Sequence, residues 1–277
     1  MRPYKLALVG MALVLAGIST SCNKLKARDQ LNKGVLSFRN AQYAQAVDHF
    51  QEAVTLDPTL VNARLFLAVS LEQQYVPGGV APENMRMGDA AIQAFQRVLQ
   101  LDPKNINALQ SIAQIYYQMN KYDQAKQYQQ KLMTLEPNNP DPYYWVGVLN
   151  YIPCQRRQMQ LRNQLNVDHP KLNILRLNTG DHDSYPPLPA RDRDQLAQQN
   201  GALIDEGIQM LQKAIDLKPN DANAYSYLNL MYRQKADIET DRDAREADLQ
   251  KADHLASKAL ALMKSGGGRA ASSSGTS

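Results

Sequence analysis

Four Leu-x-Pro triplets punctuate this chain: Leu56-Asp57-Pro58, Leu101-Asp102-Pro103, Leu135-Glu136-Pro137 and Leu217-Lys218-Pro219. Proline has no backbone N–H and keeps the residue before it out of the α region, so each triplet is a place where a helix stops. Pro103 and Pro137 lie 34 residues apart. Between them two runs of small and apolar residues recur at helical spacing: Ala108, Leu109, Ile112, Ala113, Ile115 and Tyr116, then Tyr122, Ala125, Tyr128, Leu132, Met133 and Leu135. Asn120 and Lys121 separate the runs. Such a stretch folds into a helix hairpin that cannot bury its apolar face alone and must stack on copies of itself.

The 34-residue helix–turn–helix unit resembles the tetratricopeptide repeat. The resemblance implies an all-α fold: a TPR-type right-handed superhelical solenoid of antiparallel helix pairs. About five repeats are expected, at 27–60, 61–105, 106–139, 140–221 and 222–264. Gly34 stands where the first helix A needs a small residue, and Gly147 and Gly207 where helices A and B of the fourth repeat approach most closely. Pro58 and Pro103 are 45 residues apart, and the excess falls at Pro77, Gly78, Gly79 and Pro82, which predict a loop with helix B starting near Asp89. Pro137 and Pro219 are 82 apart, so the fourth repeat carries a large insert, 152–200. Its first part reads as a helix, its middle as loop, and from Gln195 a helix leads back into the repeat. In the fifth repeat, Asp237–Asp243 reads as a helix extension or loop between helices A and B. Residues 265–277, SGGGRAASSSGTS, are low in complexity and read as a disordered tail.

Residues 1–21 have the build of an export signal. Arg2 and Lys5 precede an apolar run from Leu6 to Ile18, and Ser19, Thr20 and Ser21 are the small residues of a cleavage site. Cys22 directly after them resembles a bacterial lipobox, which implies acylation of that thiol, with 22–26 as anchor and short linker. Ser19 stands where that motif usually has Leu. The alternative is plain cleavage, leaving a periplasmic protein whose Cys22 could pair with Cys154. With lipidation the location is the cell envelope, and Asn23 after the cysteine leans toward the outer membrane.

What the repeats do follows only generically. Net charge is +4, and no basic face is concentrated enough for nucleic acid. No cofactor is implied. In the repeat family helix A lines the concave surface, and matching positions place Leu31, Val35 and Phe38 there, then Leu65, Val69 and Glu72. Asn107, Gln110, Gln114 and Tyr117 follow, then Tyr144, Val148 and Tyr151, then Ser226, Leu230 and Arg233. Phe38, the amides, the tyrosines and Arg233 are the candidate contacts for a protein or peptide: rings offer apolar area, and amides bond a peptide backbone. Each tyrosine could equally pack between repeats. Chaperone-binding repeats hold a C-terminal carboxylate with a Lys/Asn clamp; Leu31 and Val35 occupy the matching positions, so that partner is not expected.

The insert leaves a second reading open. Arg156, Arg157 and Arg162 on its first helix could meet an acidic partner or anionic lipid, or form a solvated face balanced by Asp168, Asp181, Asp183, Asp192 and Asp194. Asp168-His169 and Asp181-His182-Asp183 have suitable metal-ligand types, but their spacing fits no standard site. An envelope enzyme or metal-binding protein with its site in 152–200 is therefore the alternative to a non-catalytic scaffold. No nucleophile elbow or paired-carboxylate motif supports catalysis, and Cys154 reads as a buried thiol.

Overall fold

The computed structural model describes residues 22–168 and 187–273. They form α1 (22–39), α2 (Tyr43–Leu56), α3 (Val61–Glu72), α4 (Pro82–Leu101), α5 (Ile106–Gln118), α6 (Tyr122–Leu135), α7 (Pro140–Asp168), α8 (Ala190–Leu217), α9 (Ala222–Ile238) and α10 (Arg242–Ser273). No strand occurs among the described residues. The fold is all-α, an array of helix pairs of the kind the repeat pattern predicts. The chain divides into two compact units, one ending at Tyr128 and the other beginning at Gln129, inside α6.

The Leu-x-Pro triplets are one turn used four times. In each, the middle residue ends helix B while its N–H still donates back one turn: Asp57 to Ala53, Asp102 to Val98, Glu136 to Leu132 and Lys218 to Ala214, all at 2.8–2.9 Å. Asp57, Asp102 and Lys218 then swing to φ between −134° and −141°, as a residue before proline must. The following helix is capped from the same turn. Asn105 accepts from the Ala108 N–H at 3.0 Å, and Asp221 accepts from Asn223 and Ala224.

In the first unit, α1, α2 and α3 close around Ala46, Phe50, Ala53, Ala63 and Leu67. A Cβ on Gly34 would lie 2.5 Å from the Phe50 ring, so only glycine lets α1 approach α2 there. The next core layer joins α3, α4 and α5 through Ala68, Ile92, Phe95, Val98, Ile112 and Ile115. The extra residues of repeat two are less loop than expected. α4 starts at Pro82, well before Asp89, with proline in its first turn and Glu83 beside it. The remaining loop is tied by Asn84, whose amide donates to the Val76 and Gly79 carbonyls and accepts from the Val76 N–H.

The second unit corrects the insert. Residues 152–168 continue α7 without a break through Pro153, and α8 begins at Ala190, five residues before Gln195. The insert therefore lengthens helices A and B of the fourth repeat; 169–186 lie outside the described residues. α7 tolerates its internal proline because it packs against both α8 and α9, which bury Val146, Leu149, Tyr151, Cys154 and Leu165. Gly147 faces Leu211 of α8, where an added Cβ would come within 2.4 Å. Gly207 faces Met231 of α9 first and Asn150 of α7 second. The stretch at Asp237 is the last turn of α9, and α10 runs on to Ser273, through residues expected to be an unordered tail.

Candidate peptide-binding faces of the A helices

The first unit presents three consecutive A helices. On α5, positions 107, 110, 114 and 117 fall on one stripe. Asn107 and Gln110 are exposed, and Gln114 and Tyr117 are half-buried. The Tyr117 ring lies 6.2 Å from that of Tyr122 across the helix turn. On α3, Leu65 and Val69 are half-buried against the core beneath them. Glu72, the last residue of α3, accepts a hydrogen bond from Ser111 Oγ of α5 at 3.2 Å. Burial pushes the Glu72 carboxyl above its ordinary value, and the Ser111 hydroxyl opposes that shift. On α1, Leu31, Val35 and Phe38 are half-buried. Phe38 spends its ring on its own hairpin, edge-on to Tyr43 at 5.4 Å.

The A helices of the second unit are used differently. Val148 and Tyr151 are buried, so both are packing residues and not the contact residues expected. Tyr227 of α9 stands edge-on to Tyr144 at 5.7 Å and to Tyr151 at 5.6 Å, forming one aromatic cluster between α7 and α9. Burial, and then the neighbouring Tyr227, push the Tyr151 hydroxyl up to about 12. Arg233 is held by its own repeat: Nε donates to Asn229 Oδ1 at 3.0 Å and Nη2 to Asp253 Oδ1 at 2.5 Å. Ser226 turns back to the Ala222 carbonyl, and Leu230 is half-buried. Of the expected contact residues, those brought together at a partly open surface are the α5 amides with Tyr117.

Residues 86–146 match the family model described as tetratricopeptide repeat. The structure of MamA from residue 41 to its end, from Desulfovibrio magneticus RS-1, superposes with a TM-score of 0.52 at 16% identity, over 87% of this chain and 96% of that one. A crystal structure of MamA protein gives 0.50 at 14% identity, over 84% and 93%. The fold is that of a tetratricopeptide array, and residues 86–146 carry the repeat in sequence as well. In sequence, the photosystem I assembly protein Ycf3 of Synechococcus elongatus is 24% identical over 143 residues, 46% of this chain and 77% of that protein. The interferon-induced protein with tetratricopeptide repeats 2 of Cricetulus griseus is 28% identical over 112 residues, 40% of this chain and 21% of that protein.

The helix hairpin lengthened by the insert holds a polar core that sequence reasoning missed. Arg162, expected on a solvated face, is 1% exposed. Its Nη2 donates to Asp237 Oδ1 at 2.5 Å and its Nε to Oδ2 at 3.2 Å, a bidentate pair between α7 and α9. Gln158 donates to the same carboxylate and accepts from Gln234. One turn earlier, Arg157 donates to Asn200 Oδ1 at 2.9 Å, and the Asn200 amide donates to the Cys154 carbonyl. Only Arg156 of the three stays exposed. Of the acids expected to balance them, Asp194 pairs with its neighbour Arg193, and Asp181 and Asp183 lie outside the described residues. Nothing in helical periodicity marks Asp237 as the partner of a residue 75 positions away. Cys154 is the buried thiol expected. His169, Asp181, His182 and Asp183 lie outside the described residues, among which no group of three or more His, Cys, Asp or Glu could hold a metal.

Proposed function

We propose that this tetratricopeptide protein is a non-catalytic scaffold that binds an extended segment of a protein partner along the A-helix faces of its first unit. The observation that carries the reading is the α5 stripe, where Asn107 and Gln110 stand exposed beside Gln114 and Tyr117. Amides present both donors and acceptors at spacing a peptide backbone can use, and a tyrosine adds apolar area. A family model whose members are repeat modules, and a distant relative named for assembly, support a binding role over catalysis. We place the scaffold in a bacterial envelope, exported by residues 1–21 and held by lipid on Cys22. The support is the order of charge, apolar run, small residues and cysteine.

Affinity capture from envelope extract tests the binding claim, with the whole chain as bait beside a Gln110→Ala/Gln114→Ala bait and one lacking residues 169–186. A partner held by the first and third baits and lost from the second places recognition on α5. A partner lost only with 169–186 moves the binding surface to the insert and overturns the reading.

A further inference from the structure

Glu72 is the least compensated carboxylate on the A-helix faces of the first unit. It closes α3, where the free carbonyls put the negative end of the helix dipole beside its charge. It is half-buried, and Leu65 and Val69 share its side of the helix at the preceding turns. Its hydrogen bond comes from a neutral hydroxyl, Ser111, and no cation among the described residues lies within ion-pair reach. Asp29, the other carboxylate on an A helix of this unit, pairs with Lys33, and on the B helices Glu83 pairs with Arg86 and Asp89 with Lys121. The Asp57 and Asp102 carboxylates serve the turns. Burial pushes the Glu72 carboxyl above its ordinary value.

We infer that Glu72 receives the ammonium or guanidinium of a lysine or arginine on the bound segment, with apolar side chains of that segment lying over Leu65 and Val69. The inference rests on the peptide-binding reading above and gives it a partner chemistry. Ser111 steadies the carboxylate, and the α5 amides beside it take the segment's backbone. A cation there neutralises the dipole end and the desolvated charge in one contact, so a basic residue is favoured over a neutral one of the same length. A mere staple between α3 and α5 would be a different device. The Ser111 hydroxyl can still donate to a glutamine carbonyl, so Glu72→Gln keeps a neutral staple and removes the charge.

The test is selection of a displayed library of random nine-residue peptides on the immobilised whole chain, followed by synthesis of the strongest binder. Lysine or arginine enriched at one position is expected. Replacing that lysine by norleucine (arginine by citrulline) in the peptide weakens binding about tenfold or more, as does Glu72→Gln in the protein. The two changes together cost no more than either alone. The peptide substitution reads the same contact without depending on the folding of a variant. Binders with no fixed basic residue, or full affinity for the norleucine or citrulline peptide, overturn the cation contact and leave the peptide face standing. No enriched peptide overturns the peptide face itself, and the inference with it.

Discussion

At the scale of single residues, Ala41 sits in a conformation its side chain resists. It adopts φ +56° at the turn between α1 and α2, and Asn120 does the same at +59° between α5 and α6. In both turns the next N–H reaches back to close the helix end, Gln42 to the Ser37 carbonyl and Lys121 to the Tyr116 carbonyl. Asparagine tolerates this left-handed region, but alanine is strained by its Cβ. Ala41→Gly is expected to stabilise the protein by about 0.5–1 kcal/mol, the relief exceeding the entropy that glycine adds to the unfolded chain. A urea midpoint unchanged or lowered would contradict this. Tyr151 carries a pH signature. Its folded hydroxyl titrates at about 12 against 10 unfolded. Both states are protonated below 10, so its contribution is whole there. It is lost as pH rises toward 12, because only the unfolded chain can ionise freely. The loss amounts to about 2–3 kcal/mol. Urea unfolding at pH 9 and near 11.5 should show it, and Tyr151→Phe should flatten the difference.

At the scale of elements, the long hairpin of the fourth repeat is anchored by charge as well as by apolar packing. Arg162 and Asp237, at 1% and 0% side-chain exposure, join the extended part of α7 to the last turn of α9. Two charges taken from water are tolerated only when each meets the other. Asp237→Ala removes one and leaves the guanidinium buried, an expected loss of about 3–5 kcal/mol in stability. Arg162→Met combined with Asp237→Leu removes both, and is expected to lie within about 1 kcal/mol of the parent or above it. Thermal unfolding of the two variants separates the cases. A double variant as weak as Asp237→Ala would mean that hydrogen bonds from Gln158, and not the ion pair, organise the site. Residues 152–168 and 190–200 of the insert are thus part of the repeat framework.

At the scale of the whole molecule, the proposed envelope location makes a prediction about Cys22. No helix among the described residues is long and apolar enough to cross a membrane. The proposed anchor is lipid on Cys22, which is exposed at the start of α1. Acyl chains contribute about 0.8 kcal/mol per buried CH₂, so two or more hold a protein firmly. Cys22→Ala is expected to move the protein from the membrane to the soluble fraction and to abolish labelling by an alkyne fatty acid. Labelling that survives the substitution would sink the lipid claim.

The sequence by itself determined the helices and where most of them stop. Proline blocks a helix locally, and the spacing of small and apolar residues marks each buried face, so both are legible without a neighbour. The repeat framework, the small residue at Gly34 and the buried thiol at Cys154 belong to that class. Tertiary structure alone decided which members of a repeat stripe stay open. Tyr144 and Tyr151 match the residue types of a binding face, yet Tyr227, 76 residues beyond Tyr151, draws both rings into one cluster in which Tyr151 is buried and Tyr144 half-buried. Arg162 looks like any surface arginine until Asp237 closes on it. Periodicity reports which side of a helix is covered by its own hairpin. What covers the other side comes from residues distant in sequence, and only packing brings those together.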